Sequence, residues 1–282
     1  MPAFTNQATL TFNDTQTNSN IVTGNITEAL SASKNAVVST YTRGDTITYV
    51  INIVNSSQVA YNALALNDDL GAYPFGTGTL TPLTYIEGSL NYYVNGVLQP
   101  TPAVTTDDGL TVSGINVPAG GNALIIYEAE ANSFAPLGVG DSITNTATIS
   151  GEALIEPITV TETVTPEASP QLSITKSLSP TTVFENGEIT YTFVIQNTGN
   201  TPTVATDSLT VTDTFDPILR NITVTYNGEA LTEGTDYTYE NGVFTTVNGV
   251  ITVPAATYTR DPATGNLVIT PGVSVLTVTG TV

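Results

Sequence analysis

The sequence contains no cysteine, no histidine and no tryptophan among its 282 residues, and only five residues are basic. Without cysteine the chain forms no disulfide and offers no thiolate. Without histidine it lacks the commonest general base and metal ligand, and the usual catalytic triad is excluded. A glycosidase would need two carboxylates opposed across a cleft, whereas the paired acids here lie in predicted turns. We therefore expect no enzyme acting on external substrates, no cofactor and no metal centre.

Positive charge is also scarce. The chain carries 25 acidic residues against five basic ones, which gives a formal net charge of −20. Phosphate backbones and anionic bilayer surfaces repel such a chain, so we expect no nucleic-acid partner. No stretch approaches the roughly 18 consecutive apolar residues of a membrane span, so we expect no membrane insertion. The acidic pairs Asp68-Asp69 and Asp107-Asp108 lack the spacing of a calcium loop, which favours solvated turns.

The apolar residues that are present alternate with polar ones. Ile47, Tyr49, Ile51 and Ile53 share one face of TITYVINIVN, and EITYTFVIQN at 188–197 has the same pattern. A period of two is typical of half-buried strands, and the many valines, isoleucines and threonines favour strands as well. The dipeptides Asn95-Gly96 and Asn227-Gly228 predict hairpin turns, and prolines 118 and 271 are interpreted as marking equivalent turns. The pattern predicts two antiparallel β-sandwiches without helices.

An internal repeat fixes the predicted domains. Lys34 and Lys176, the two lysines of the chain, are 142 positions apart, and the same offset relates Asn55 to Asn197. The tandem copies predict a first sandwich at 30–166 and a second at 167–282, preceded by an N-terminal strand and linker at 1–29.

The two copies end differently. ITNTATI at 143–149 closes the first repeat, whereas its nearest further copy is FTNQATL at 4–10. This predicts a donor strand that includes Phe4, Asn6, Ala8 and Leu10 and completes the second sandwich of a neighbouring chain. Residues 13–29 would be a polar linker. Folding back onto the same chain is the alternative, since about 20 residues reach roughly 65 Å. Insertion into a neighbour is head-to-tail association, which builds open filaments unless it closes a ring.

The sequence also resembles a known family, the bacterial surface repeat called domain of unknown function eleven. The resemblance rests on Lys34, Lys176, ITYTFVIQNTGN at 189–200, LTVTDT at 209–214 and ITNTATISG at 143–151, and it extends over nearly the whole chain. It implies immunoglobulin-like modules, similar in style to the B-type repeats of collagen adhesins, on the surface of a Gram-positive bacterium. The first residues show no basic region followed by an apolar stretch, as a secretory signal would. We therefore expect an extracellular location on a cell or spore surface, with a spore appendage favoured.

Modules of this style often contain a self-formed Lys–Asn isopeptide bond. The resemblance implies Lys34, Asn145 and the promoting acid Asp68 in the first sandwich. In the second it implies Lys176 and Asp213, with Asn6 of the donor strand supplying the amide and thereby linking two chains. A simple ion pair between each lysine and its aspartate is the alternative. Asn55 and Asn197 are rival acceptors, although their position at a strand end favours a turn role.

Two functions follow from these features. The first is a structural subunit of a self-assembling surface fibre whose partner is a second copy of the chain. The alternative is an adhesin or ligand-binding module that contacts a host or matrix surface. In that case the long loops 71–84 and 99–109 would bind, with Tyr73, Phe75 and Tyr85 as an exposed aromatic patch.

Overall fold

The computed structural model describes residues 3–25 and 29–282. Residues 1–2 and 26–28, which belong to the predicted N-terminal strand and linker, lie outside the described residues. The described part consists of strands, loops and one short 3₁₀ helix (Ala205–Asp207). None of its helices is long and apolar enough to cross a membrane. Its buried apolar residues form two separate cores, one within 30–164 and one within 189–278. The predicted all-β class with two sandwiches is therefore confirmed.

Residues 3–25 form an antiparallel hairpin with an irregularity in its middle. Its four strands are β1 (Ala3–Asn6), β2 (Thr9–Phe12), β3 (Thr15–Asn18) and β4 (Val22–Asn25). β1 pairs with β4 and β2 pairs with β3. Asn13 and Asp14 turn the chain with φ values of 44° and 64°, the left-handed conformations of a type I′ turn. Residues 15–18 and 22–25, which the sequence suggested as linker, thus form the return arm of this hairpin.

The first sandwich packs a sheet ordered β13-β12-β16-β7-β5 against a sheet ordered β14-β15-β8-β17-β18-β6. Along β7 and β16 alternate side chains are buried, as period-two patterning requires. The strands are β5 (Leu30–Ala36), β6 (Thr40–Tyr41), β7 (Thr46–Asn55), β8 (Tyr61–Asp68), β9 (Tyr73–Phe75), β10 (Gly78–Leu80), β11 (Leu83–Tyr85), β12 (Asn91–Val94), β13 (Val97–Gln99), β14 (Ala103–Thr105), β15 (Leu110–Val117), β16 (Asn122–Ala131), β17 (Ile143–Ser150) and β18 (Ile158–Pro166).

The second sandwich has a complete first sheet and a short second one. The first is ordered β19-β20-β28-β22-β23 and the second β21-β25-β24, with β26 and β27 forming a separate hairpin. The strands are β19 (Leu172–Ser179), β20 (Glu188–Asn197), β21 (Thr212–Thr214), β22 (Arg220–Tyr226), β23 (Glu229–Leu231), β24 (Tyr237–Glu240), β25 (Val243–Thr246), β26 (Thr257–Arg260), β27 (Leu267–Thr270) and β28 (Gly272–Thr281).

The repeat is preserved in strand register. Lys34 lies opposite Ile51 and Lys176 opposite Phe193, both at the offset of 142. The first sheets of the two sandwiches match strand for strand, whereas the second sheets differ at one edge. In the first sandwich β8 is followed by β17 and β18. In the second, β21 has no strand on the corresponding edge among residues 3–25 and 29–282. Three strands, not the single one expected from sequence, distinguish the copies, since the two-residue strand β6 follows β18 on that edge.

One predicted equivalence is wrong. Asn55 donates to the carbonyl of Pro118 and Asn197 to that of Pro254, so Pro254, not Pro271, corresponds to Pro118. Residues 255–271 are therefore an insertion, and they form the β26–β27 hairpin. This hairpin contacts the first sandwich, where Arg260 donates 2.9 Å to the Phe134 carbonyl and lies 5.1 Å from the Tyr73 ring. The insertion thus braces the junction between the two sandwiches.

Candidate functional site

The first sandwich encloses a polar cluster between its sheets. Lys34 on β5 extends its ammonium to Asp68 on β8, with Nζ 2.7 Å from Oδ2, and neither side chain is exposed. The Tyr127 hydroxyl on β16 donates to the same Oδ2 at 2.6 Å. Asn145 on β17 donates from Nδ2 to the Tyr127 hydroxyl at 3.0 Å. The three residues that the resemblance implied therefore lie in one buried network, with Tyr127 joining Asp68 to Asn145.

Burial controls the electrostatics of this cluster. It lowers the pKa of Lys34, because desolvation opposes the ammonium form more strongly than the attraction of Asp68 favours it. It also raises the pKa of Tyr127 well above the ordinary value, so the phenol stays a hydroxyl donor. A lysine with a lowered pKa loses its proton more readily, and only the neutral amine can act as a nucleophile.

Two buried atoms in the cluster, Asn145 Oδ1 and the Tyr49 hydroxyl, have no hydrogen-bond partner in the part of the chain that the structure describes. Most buried polar atoms are paired, since an unpaired one costs about 1–3 kcal/mol. Tyr49 stacks against Tyr127 with ring centroids 5.4 Å apart, and Lys34 Nζ lies 5.0 Å from the Tyr49 ring. The amide of Asn145 is thus joined to Asp68, the partner of Lys34, through the Tyr127 hydroxyl, and its carbonyl oxygen is left unpaired among the described residues.

The second sandwich places the equivalent pair at an open edge. Lys176 on β19 forms an ion pair with Asp213 on β21, and their side chains are 39% and 18% exposed. The ammonium lies 4.4 Å from the Tyr191 ring and 5.4 Å from the Phe215 ring. All eight residues of β19 are exposed. The same lysine–aspartate pair is therefore accessible here, because nothing in the described chain covers it.

Asn6, the predicted third member of this second site, lies on the N-terminal hairpin. Every residue of β1, β2 and β3 is exposed, including the predicted donor residues Phe4, Asn6 and Leu10 of these strands. Ala8, between β1 and β2, is exposed as well. The structure thus does not bring Asn6 to Lys176 within one chain.

The rival acceptors have other partners. Asn55 donates from Nδ2 to the carbonyls of Val59 and Pro118, both at 2.8 Å, and accepts from the Ser57 amide at 2.9 Å. Asn197 forms the equivalent bonds with Thr201, Pro254 and Gly199. Because both ends of each amide are engaged by the backbone, these residues hold turns.

The substitution Asn55→Asp is expected to destabilise the first sandwich by at least about 1–3 kcal/mol. A carboxylate would face two carbonyl oxygens in place of the donating amide. Urea denaturation measures the loss. Asn95→Asp is the matched control, because Asn95 Oδ1 accepts from the Asn122 amide and a carboxylate can accept the same bond. Equal tolerance of both changes would contradict the turn role.

Sequence reasoning missed Tyr127. Its signal was an inward position on the apolar strand LIIYEAEA, where a tyrosine needs a partner for its hydroxyl. The second sandwich does not reproduce it, since Val278 lies opposite Tyr191 where Tyr127 lies opposite Tyr49. The two candidate sites therefore differ in their hydrogen-bond chemistry.

The aromatic residues proposed for an adhesive patch are used elsewhere. Tyr73 donates to the Phe134 carbonyl beside Arg260, in the brace between the sandwiches. The Tyr85 ring lies 6.3 Å from the Tyr127 ring, next to the buried cluster. These two side chains and Phe75 are each partly buried. Tyr73 and Tyr85 line different clefts of the first sandwich.

Comparisons with known proteins add a partial match. The sequence profile of the Sgo0707 N2 domain matches residues 167–274, less than half of the chain. No curated protein matches. A family 123 glycoside hydrolase from Clostridium perfringens aligns with a TM-score of 0.30 and 10% identity over 49% of this chain and 28% of that one.

Two pilus proteins align over more of the chain. The pilus backbone RrgB from Streptococcus pneumoniae gives a TM-score of 0.36 and 13% identity over 86% of this chain and 55% of that one. The major pilin subunit BcpA of Bacillus cereus gives 0.35 and 12% identity over 95% of this chain and 73% of that one. The chain thus spans little more than half of RrgB and about a quarter of the hydrolase.

Proposed function

We propose that the protein is a structural subunit of an extracellular fibre on a Gram-positive cell or spore surface. The fibre polymerises when the N-terminal hairpin of one chain completes the second sandwich of the next. Two observations together carry this proposal: the edge at β21 is open, and the apolar face of the hairpin has no partner among residues 3–25 and 29–282. The sequence of that hairpin copies the strand that occupies the equivalent edge in the first sandwich.

Up to Asn6 the hairpin pairs in the same way as the missing strands, whereas beyond Asn6 its register shifts by one residue. Asn145 lies opposite Glu162 in the β17–β18 pair, and Asn6 lies opposite Val22 in the hairpin. The inward pair Ile143–Val164 of the first sandwich corresponds to the pair Phe4–Gly24 of the hairpin. The Phe4 ring lies directly over Gly24, since a Cβ on Gly24 would be 2.4 Å from Phe4 Cζ. A larger ring over a smaller residue keeps the core volume similar, which is what packing tolerates.

In this arrangement the return arm of the hairpin, β3 and β4, would cover the strand that carries Lys176. In the first sandwich β18 packs against β5, the strand that carries Lys34, and Lys34 is only 4% exposed. A hairpin inserted at β21 would lay β3 and β4 over β19 in the same way. Lys176 would then be enclosed, and Asn6 would occupy the position that Asn145 has in the first sandwich.

Enclosure would permit the covalent step. The neutral amine of Lys176 attacks the Asn6 side-chain carbonyl carbon, and the bond from that carbon to the amide nitrogen breaks. One amine proton passes to the departing nitrogen through Asp213, so that ammonia leaves and an isopeptide bond remains. The equivalent reaction of Lys34 with Asn145, promoted by Asp68, would occur within one chain.

Denaturing electrophoresis after boiling, combined with intact mass, tests the covalent part. We expect a ladder of multimers and the loss of one ammonia per bond. Lys176→Ala should reduce the ladder to monomer. Asn145→Ala is the matched control, because it should remove one ammonia loss per chain and keep the ladder. A single band at the full calculated mass would refute both bonds and leave strand donation as a non-covalent assembly.

A further inference from the structure

The junction between the two sandwiches of one chain supplies a template for the contact between two chains. Within the chain, the loop at 37–45, here called the rear loop of the first sandwich, faces the turn at 198–201, the front turn of the second. Tyr41, Thr42, Thr198, Gly199 and Asn200 line one cleft of about 240 Å³ at this junction.

Hydrogen bonds also cross this junction. Asn200 Nδ2 donates to the carbonyl of Leu137 in the first sandwich at 3.0 Å and to that of Glu167 in the connector at 2.9 Å. The Glu167 amide in turn donates to the Tyr41 carbonyl of the rear loop at 2.9 Å. These hydrogen bonds join the front turn and the connector between β18 and β19 to the first sandwich.

Each half of this junction has a copy elsewhere in the chain. The front turn of the first sandwich is Ser56–Val59. The Ser56 amide donates to the Ala29 carbonyl at 2.9 Å, as the Thr198 amide donates to that of Gln171. The Ser57 amide donates to Asn55 Oδ1, as that of Gly199 donates to Asn197 Oδ1. The first sandwich therefore presents the same kind of turn, but at an end where the described chain has no sandwich.

The rear loop of the second sandwich is 180–187. At the offset of 142, Val183 corresponds to Tyr41 and Phe184 to Thr42. Val183 packs against the second core, as Tyr41 is buried in the first. Phe184 is 92% exposed, an unusual state for an aromatic side chain. Val59, in the front turn of the first sandwich, is 70% exposed.

The connector lengths agree with a shared geometry. Five residues separate the end of β18 at Pro166 from the start of β19 at Leu172. Four residues separate the end of β4 at Asn25 from the start of β5 at Leu30. If β4 occupies the place of β18, a connector of similar length allows the following sandwich to lie close to the position that the second sandwich has relative to the first.

We infer that Phe184 of one chain packs against the front turn Ser56–Val59 of the next chain, so that the joint between subunits repeats the junction within a subunit. This inference rests on the proposed strand donation and adds a second contact surface to it. The joint has no counterpart of the β26–β27 brace, because only residues 119–121 stand where the second sandwich has 255–271. Phe184, the large exposed side chain of the rear loop, is therefore available to hold it.

Disulfide cross-linking tests the contact cleanly, because the chain has no cysteine. The variant carries Phe184→Cys and Gln58→Cys together with Asn6→Ala, which removes the proposed covalent link. Under a mild oxidant we expect a multimer ladder on non-reducing gels that collapses on reduction. The control carries Phe184→Cys and Asp107→Cys. Asp107 is also exposed but precedes Leu110, at the other end of β15 from Val117, and should give no ladder.

The outcomes separate this inference from the function on which it rests. Sedimentation under reducing conditions reports polymerisation independently of the disulfide. Polymer that sediments but gives no ladder with the Phe184–Gln58 pair would overturn the joint and leave strand donation intact. Equal ladders from both cysteine pairs would also overturn it, since they would reflect random collision. Absence of sedimenting polymer in the parent chain would refute the proposed assembly itself.

Discussion

Phe4→Asp is expected to abolish head-to-tail polymerisation. Phe4 is 54% exposed in the single chain, with its ring over Gly24, and insertion at β21 would bury it in the second core. Full burial of a phenylalanine contributes about 1.5–3 kcal/mol, and a carboxylate at the same position adds a desolvation cost of several kcal/mol. Since each 1.4 kcal/mol is a factor of ten, the association constant should fall at least about a hundredfold.

The measurement is sedimentation of native polymer in an Asn6→Ala background, where covalent trapping cannot conceal weak association. Thr5→Asp is the matched control. Thr5 is paired with Thr23 on the opposite, polar face of the hairpin, so its replacement should leave assembly within about a factor of ten. Polymer that survives Phe4→Asp, or that is lost equally in Thr5→Asp, would show that the apolar face is not the donated surface.

Asp68→Ala and Asp213→Ala are expected to differ strongly, although the two aspartates are equivalent in the repeat. Asp68 is completely buried and accepts from Lys34, Tyr127 and the Leu70 amide. Its removal leaves a buried ammonium and a buried phenol without their acceptor, which costs about 3–5 kcal/mol. Asp213 pairs with a lysine that is 39% exposed, and removing one partner of an exposed pair costs about 0–1 kcal/mol.

Urea denaturation compares the free energies of unfolding of the two variants. Both are prepared without residues 1–25, so that they cannot polymerise through the hairpin and remain monomeric. Intact mass adds a second readout, since loss of ammonia from the first sandwich should cease in Asp68→Ala and persist in Asp213→Ala. Similar destabilisation by the two substitutions would show that the buried cluster is no more tightly coupled than the exposed pair. Continued loss of ammonia without Asp68 would remove that residue from the proposed chemistry.

Much of the fold could be predicted because the core strands carry a strict alternation of polar and apolar residues. Ile47, Tyr49, Ile51 and Ile53 are all fully buried. The turns at Asn95-Gly96 and Asn227-Gly228 have the positive φ values that their sequence predicts. The hairpin at 3–25 was only half predicted, because Asn and Thr are abundant in its return arm and mimic a linker. That arm forms strands because β3 pairs with β2 and β4 pairs with β1, which its composition alone does not reveal.

One residue of the candidate site, Tyr127, could not be predicted from the sequence. The offset of 142 selected Lys34 and Lys176, and family resemblance implied Asp68 and Asn145. Tyr127 could not be found by repetition, because the second sandwich has Val278 at its position. A hydroxyl that connects a carboxylate to an amide across two sheets is visible only once those sheets are packed face to face.

By itself the sequence determined the strand-forming pattern, the two tandem copies, the lysines at equivalent positions and the scarcity of groups that enzymes use. These are local or periodic properties, and the alternation of side chains encodes them residue by residue. The tertiary structure alone decided that one lysine is buried and the other accessible. That difference depends on β17 and β18 covering one edge of the first sandwich, while the corresponding edge at β21 has no cover among the described residues.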